Sequence, residues 1–194
     1  MLSLFIIMHY CVFILIPSDN DIDGGVAEAL APFDEANDVA PYRVHLDHHR
    51  VRMMAEHYGI DPANLHELVK RMPEWTNCKG GVDRAGLYYL STCNPDGYWD
   101  WYEIGGRWHG YIPGSRRNAI AAGKLAASPK LADRLPCYIL TPDGEWIEHM
   151  RCYVSPDWKD VKIEQMKPED WLQLVRDTLN RWDDHQVVCV DIHS

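Results

Sequence analysis

The sequence predicts an α+β fold: a mixed, largely antiparallel sheet covered by helices, with a helical hairpin inserted at about 43–75. Three observations predict it. The two most apolar runs, HYCVFILI from 9 and QVVCVDIH from 186, stand at opposite ends of the chain and read as central strands of one sheet. Short aromatic stretches bounded by Asn-Pro-Asp-Gly, Gly-Gly and Pro-Asp-Gly turns lie between them. Helical periodicity is concentrated at 47–72 and 168–182.

The opening run is read as a strand over 9–16 ended by Pro17. Its hydrophobicity alone also fits a secretory leader, but it has no basic flank and no small-x-small cleavage site, and His9 and Tyr10 interrupt it. Residues 1–7 are read as an upstream extension, since Met8 would serve equally well as a start. An acidic turn and a short helix near 25–31 follow. Asp47 is an N-cap for HHRVRMMAEHY, with Gly59 as its left-handed stop. Asp61 and Pro62 mark a second helix start, ended by Pro73. Strands are expected at 87–93, 98–104 and 107–112, the last two forming a hairpin through Gly105-Gly106. SRRNAIAAGKLAAS is expected to be helical, 137–141 pairs with EWIEHMRCY, and Pro168 opens the last helix. No repeat and no composition boundary appears, so one α+β domain over 1–194 is expected, with helices covering one face of its sheet.

The net charge is −10, which disfavours binding long nucleic acid through a general basic field. No run of 18 apolar residues is present, so no membrane-spanning helix is expected. Residues 1–42 hold seven acids and no Lys or Arg, whereas 104–135 carries a net charge of +5. Such a basic segment suits a small anion; a solvated helix face explains it equally. The six cysteines show no CxxC spacing, so free thiols and a cytoplasmic setting are expected.

The densest chemistry lies in YWDWYEIGGRWHGYI, residues 98–112. Strand alternation would put Trp99, Trp101 and Glu103 on one face, opposite Tyr98, Asp100 and Tyr102. On the return strand Arg107, His109 and Tyr111 would share a face opposite Trp108 and Ile112. Aromatic planes beside an Arg fork suit a ring stacked near a phosphate or carboxylate. Trp99, Trp101, Tyr102, Arg107, Trp108 and His109 are therefore the candidate ligand-binding residues. Arg107 is expected to be at least half-buried beside Asp100 or Glu103. Asp191 and His193 share a face if the last strand reaches them, and a carboxylate near an imidazole serves acid–base chemistry. Asp191 or His193 is expected within one ligand's span of Arg107 or Trp108. His109, His149, Asp191 and His193 are the candidate catalytic residues.

Two motifs that suggest metal are read otherwise. HLDHH at 45–49 has no companion Asp motif, and helix capping explains Asp47. The acidic run 19–23 lacks the spacing of a calcium loop. No metal and no cofactor is expected.

The string Trp99–Trp108, WDWYEIGGRW, resembles the signature of an uncharacterised phage and bacterial protein family. Leu30–Glu35 (LAPFDE), Thr141–Trp146 (TPDGEW) and Val190–His193 match further pieces of that family in the same order. Where the family often reads Trp-His-Glu after the glycine, this chain has Trp146-Ile147-Glu148-His149. The resemblance implies a phage or mobile-element setting and brings no activity with it.

Three functions compete. The first is binding of a small anionic, nucleotide-like ligand, in a phage setting a host defence signal to be sequestered. The second is hydrolysis of a phosphodiester by His109, His149 or His193. The third is inhibition of a host protein by the acidic N-terminal third acting as a nucleic-acid mimic. A homo-oligomer fits any of them.

Overall fold

A computed structural model of the chain describes residues 9–115, 117–154 and 161–193. The extension expected at 1–7 and Arg116 of the basic segment lie outside the described residues.

The apolar opening run forms β1 (His9–Ile16), buried from Cys11 onward. Asp21 caps α1 (Ile22–Leu30), accepting from the backbone N–H groups of Asp23 and Gly24. After β2 (Asp38–His45), Asp47 caps α2 (His48–Tyr58) and Gly59 ends it at φ 65°. α3 (Leu65–Thr76) begins later than Asp61-Pro62 suggests, because Asn64 supplies the cap. It also runs past Pro73, whose carbonyl accepts the Asn77 N–H that closes the helix, although proline has no N–H to bond the preceding turn. β3 (Gly80–Asp83), β4 (Gly86–Cys93) and β5 (Trp101–Ile104) follow. Then come β6 (Ala119–Ala121) with α4 (Ala122–Ala126), β7 (Tyr138–Leu140) with β8 (Trp146–Glu148), and β9 (Met150–Val154) with β10 (Val161–Gln165). The chain ends in α5 (Pro168–Arg181) and β11 (Gln186–His193).

The main sheet has the order β5-β11-β1-β7-β8, with β6 also on β11. β1 and β11 pair antiparallel over their full lengths, His9 opposite His193 and Ile16 opposite Gln186. Only β1 with β7 is parallel among these pairings. The sheet is therefore mixed and largely antiparallel, and the fold is α+β.

Both faces of that sheet are covered, not one. Cys11, Phe13, Leu15, Val187 and Cys189 pack under α4 and α5. Val12, Ile14, Ile16, Val188 and Val190 pack under α1. A strand buried on both faces must be apolar at every position, which explains why 9–16 and 186–193 show no alternation.

Two expected elements are different. Residues 107–112 are not a strand and do not pair with 98–104. β5 pairs with β11 instead, Glu103 opposite Asp191 and Trp101 opposite His193. β11 also takes β6 along that edge, so the helix expected over 115–128 contains a strand, Ala119–Ala121, and is helical only from Ala122. The long apolar β11 offers more burial than a local hairpin or a helix weakened by Gly123.

Contacts divide the chain into two compact units where one domain is expected. The first comprises 1–37, 95–151 and 163–194; the second comprises 38–94 and 152–162. The second holds the predicted helical pair, but also the antiparallel sheet β2-β4-β3. Its core is Leu46, Met54, Ala55, Leu68, Met72 and Leu87. No helix among the described residues is long and apolar enough to cross a membrane.

Phe13 lies fully buried at the centre of the first unit. Phe13→Ala should lower the unfolding free energy by about 3–5 kcal/mol, read from urea denaturation. A loss under about 1 kcal/mol would mean that this face is not close-packed.

Candidate functional site

Everything polar on the α5 face of the main sheet gathers at one end. Directly opposed residues of antiparallel strands project to the same side. Trp101, His193 and His9 therefore form one row across β5, β11 and β1. The next row inward is Glu103, Asp191 and Cys11. Beyond it the face is apolar.

Asp191 is the anchor. It is 1% exposed, and a carboxylate so buried is costly unless hydrogen-bonded. One oxygen accepts from the Arg107 backbone N–H at 3.0 Å, and the other meets His9 Nδ1 at 2.9 Å. The glycine pair makes the first bond possible. Gly105 and Gly106 have φ of 79° and 44°, which turn the chain out of β5 into a 3-10 turn, Gly106–Trp108. A Cβ on Gly106 would stand 2.5 Å from Asp191 Cβ, and one on Gly105 would strike the Asn118 amide.

A second carboxylate–imidazole pair lies alongside. Asp100 Oδ1 meets His193 Nδ1 at 2.5 Å, and the Asp100 N–H donates to the His193 carbonyl. The two rings are in edge contact, centroids 5.3 Å apart, and the Trp101 ring stands 6.0 Å from His9. Each carboxylate receives Nδ1–H, so in the neutral ring Nε2 carries the lone pair. Trp101 is 45% exposed.

His109 has the opposite polarity. The Gly110 N–H donates to Asn118 Oδ1, which leaves Asn118 Nδ2 to donate to His109 Nδ1. The neutral His109 ring then carries its proton on Nε2. With Arg117, Asn118 and Asp21 it lines a cleft of about 660 Å³. Among the described residues no hydrogen bond or ring contact joins it to His9 or His193.

The other predicted site residues separate. The Arg107 side chain is exposed and has no carboxylate partner among the described residues, so the expected half-buried Arg–Asp pair is not formed. Asp100 is taken by His193, and Arg107 enters the site through its backbone. Trp99 and Tyr102 both pack on the α1 face, with Trp99 Nε1 donating to the Leu30 carbonyl at 2.9 Å. β5 starts only at Trp101, so strand alternation does not reach Trp99. Trp108 packs against the α5-face core beside Tyr111. His149 stacks on Trp171 at 5.3 Å, away from the other histidines. His45 hydrogen-bonds Asp83 and Asp47 caps a helix. Among the described residues no three His, Cys, Asp or Glu side chains cluster as a metal site would require.

Asp191 lies within a ligand's span of Arg107, as expected, and meets it through the backbone N–H; His193 is the last described residue of a paired strand. His9 and Asn118 were not foreseen. His9 follows from pairing two eight-residue strands end to end; Asn118 has no sequence signal beyond its place near the glycine turn.

Below this polar end the Cys11 thiol is pushed up, first by its hydrogen bond with Cys189 and then by burial. Tyr111, whose hydroxyl donates to the Leu135 carbonyl, ties down the segment after the turn. Burial pushes its phenol up to about 12.

Comparison of the chain with protein-family models, with curated proteins and with solved structures finds no match to any of them.

Two outcomes follow from this geometry. Gly106→Ala should cost about 1–3 kcal/mol in backbone strain alone and shift the His9 ring resonances by NMR. Unchanged His9 resonances would mean that the turn does not bear on Asp191. Because folding raises the Tyr111 phenol, its neutral form adds stability that is complete below pH 10 and is lost as pH rises towards 12. The urea midpoint of Tyr111→Phe should therefore fall less than that of the parent over this window.

Proposed function

We propose that the first unit binds a small anionic, ring-bearing ligand of the nucleotide class at the polar end of its main sheet. One observation carries this reading: exposed Trp101 stands beside two imidazoles whose Nδ1 atoms are already occupied, at the end where Arg107 has no carboxylate partner among the described residues. In a chain of net charge −10, such a cation is the natural counter-charge for a phosphate. The indole offers a stacking plane. The glycine turn sets the backbone of Arg107 against Asp191, two residues before His193, which ties the turn that carries this cation to the strand that carries the imidazole.

In the phage setting that the resemblance implies, the ligand is a nucleotide signal of host defence, and binding sequesters it. That step rests on the resemblance alone.

The test is calorimetry of the full chain against a panel of linear and cyclic nucleotides. At least one should bind, and Arg107→Ala and Trp101→Ala should each weaken it by about tenfold or more. Arg107→Lys should recover only part of the loss, because the planar fork is gone. Binding that survives both alanine variants would place the ligand elsewhere.

A further inference from the structure

We infer that His9 and His193 form an acid–base pair that hydrolyses a phosphodiester in the ligand bound beside them. The inference rests on the binding reading above and adds an activity to it.

A base must present a lone pair to its substrate, and an acid a proton. Asp191 and Asp100 each hold an imidazole by Nδ1. Both rings are thereby oriented with Nε2 as the working nitrogen. The two rings meet in a T-shaped contact with centroids 5.3 Å apart, close enough for both to reach one phosphate group. Phosphoryl transfer needs the attacking and leaving oxygens roughly in line on opposite sides of phosphorus, so it needs two proton-transfer groups whose working nitrogens reach both sides of one phosphate. Neither His109 nor His149 offers such a pair.

The sheltered Asp191 fixes the His9 ring more firmly than the half-exposed Asp100 fixes that of His193, so His9 is assigned the base. Asp191 is 1% exposed, whereas Asp100 is 49% exposed. His9 Nε2 takes a proton from water as the water oxygen bonds to phosphorus. His193, protonated, gives the Nε2 proton to the leaving oxygen as its P–O bond breaks. The products are a phosphomonoester and an alcohol. Proton exchange with solvent returns both rings to their starting states. Asp191 is a positioning residue: it acts through His9 and touches no substrate. Arg107 neutralises the phosphate.

Asp191→Asn separates orientation from packing. The amide keeps both hydrogen bonds, its oxygen accepting from the Arg107 N–H. Its nitrogen must then donate to His9 Nδ1, which moves the proton of the neutral ring to Nε2 and removes the lone pair. Volume and bonds stay; the base is lost.

The experiment incubates the full chain, with EDTA present, with a 2′,3′-cyclic mononucleotide, a 3′,5′-cyclic mononucleotide and a cyclic dinucleotide. Products are read by phosphorus NMR and binding by calorimetry. At least one bound probe should be converted to a phosphomonoester. His9→Gln, His193→Gln and Asp191→Asn should each lower kcat by about 10²–10⁴-fold while Kd changes by less than about threefold. Circular dichroism checks folding; if either glutamine variant unfolds, Asp191→Asn alone decides. A probe bound by the parent and recovered intact overturns the hydrolysis and leaves the binding reading standing. No probe bound removes both. Turnover that EDTA abolishes, or that survives in all three variants, overturns the two-imidazole assignment.

Discussion

The structure of the first unit depends on how one buried carboxylate is satisfied. Asp191 lies in β11, the strand that β1, β5 and β6 all join. Leaving such a group without partners costs about 3–5 kcal/mol. The chain meets that cost twice over, with a backbone N–H from the glycine turn and a ring nitrogen from β1. Both bonds require the strands to be in this register. A slip of one residue would turn Asp191 to the α1 face and His9 away from it. The same interaction that locks the sheet therefore assembles the polar end.

The glycine turn gives that end a second consequence. Its two residues back onto two different polar side chains, Gly106 onto Asp191 and Gly105 onto Asn118. Asp191 directs one histidine to present a lone pair, and Asn118 directs another to present a proton. A seam of two glycines thus separates imidazoles of opposite polarity. Only residues without a Cβ allow the backbone to pass this closely at positive φ. Beneath the seam lies a close-packed apolar face, which holds the turn against β11 from the other side.

Much of the architecture was legible in the sequence. Unbroken apolar runs identified the two central strands, and Asp47 with Gly59 bounded a helix correctly, because both signals are local. Local signals failed where β11 intervened. Gly105-Gly106 reads as a hairpin turn, yet a long apolar edge outcompeted the neighbouring segment for β5. Ala119 and Ala121 have helical propensity, yet both lie in the sheet for the same reason. Of the site, Asp191 lies within a ligand's span of Arg107 as expected, but through the backbone of that residue rather than its side chain, and His193 shares the face of Asp191. Trp99, Tyr102 and Trp108, expected at the ligand, pack against the cores, because which face each strand or turn meets is set by distant segments. His9 was overlooked as an interruption in an apolar run. Its role appears only when the partner strand is laid against it.

The account rests on Asp191 and Asn118 setting opposite tautomers on either side of the turn. Long-range proton–nitrogen correlation NMR of the histidine rings reads this directly in the unmodified chain. At a pH where the rings are neutral, His9 and His193 should carry the proton on Nδ1, and His109 on Nε2. A neutral His9 with its proton on Nε2 would contradict the account, because Asp191 would then not be directing the ring that the site is built around.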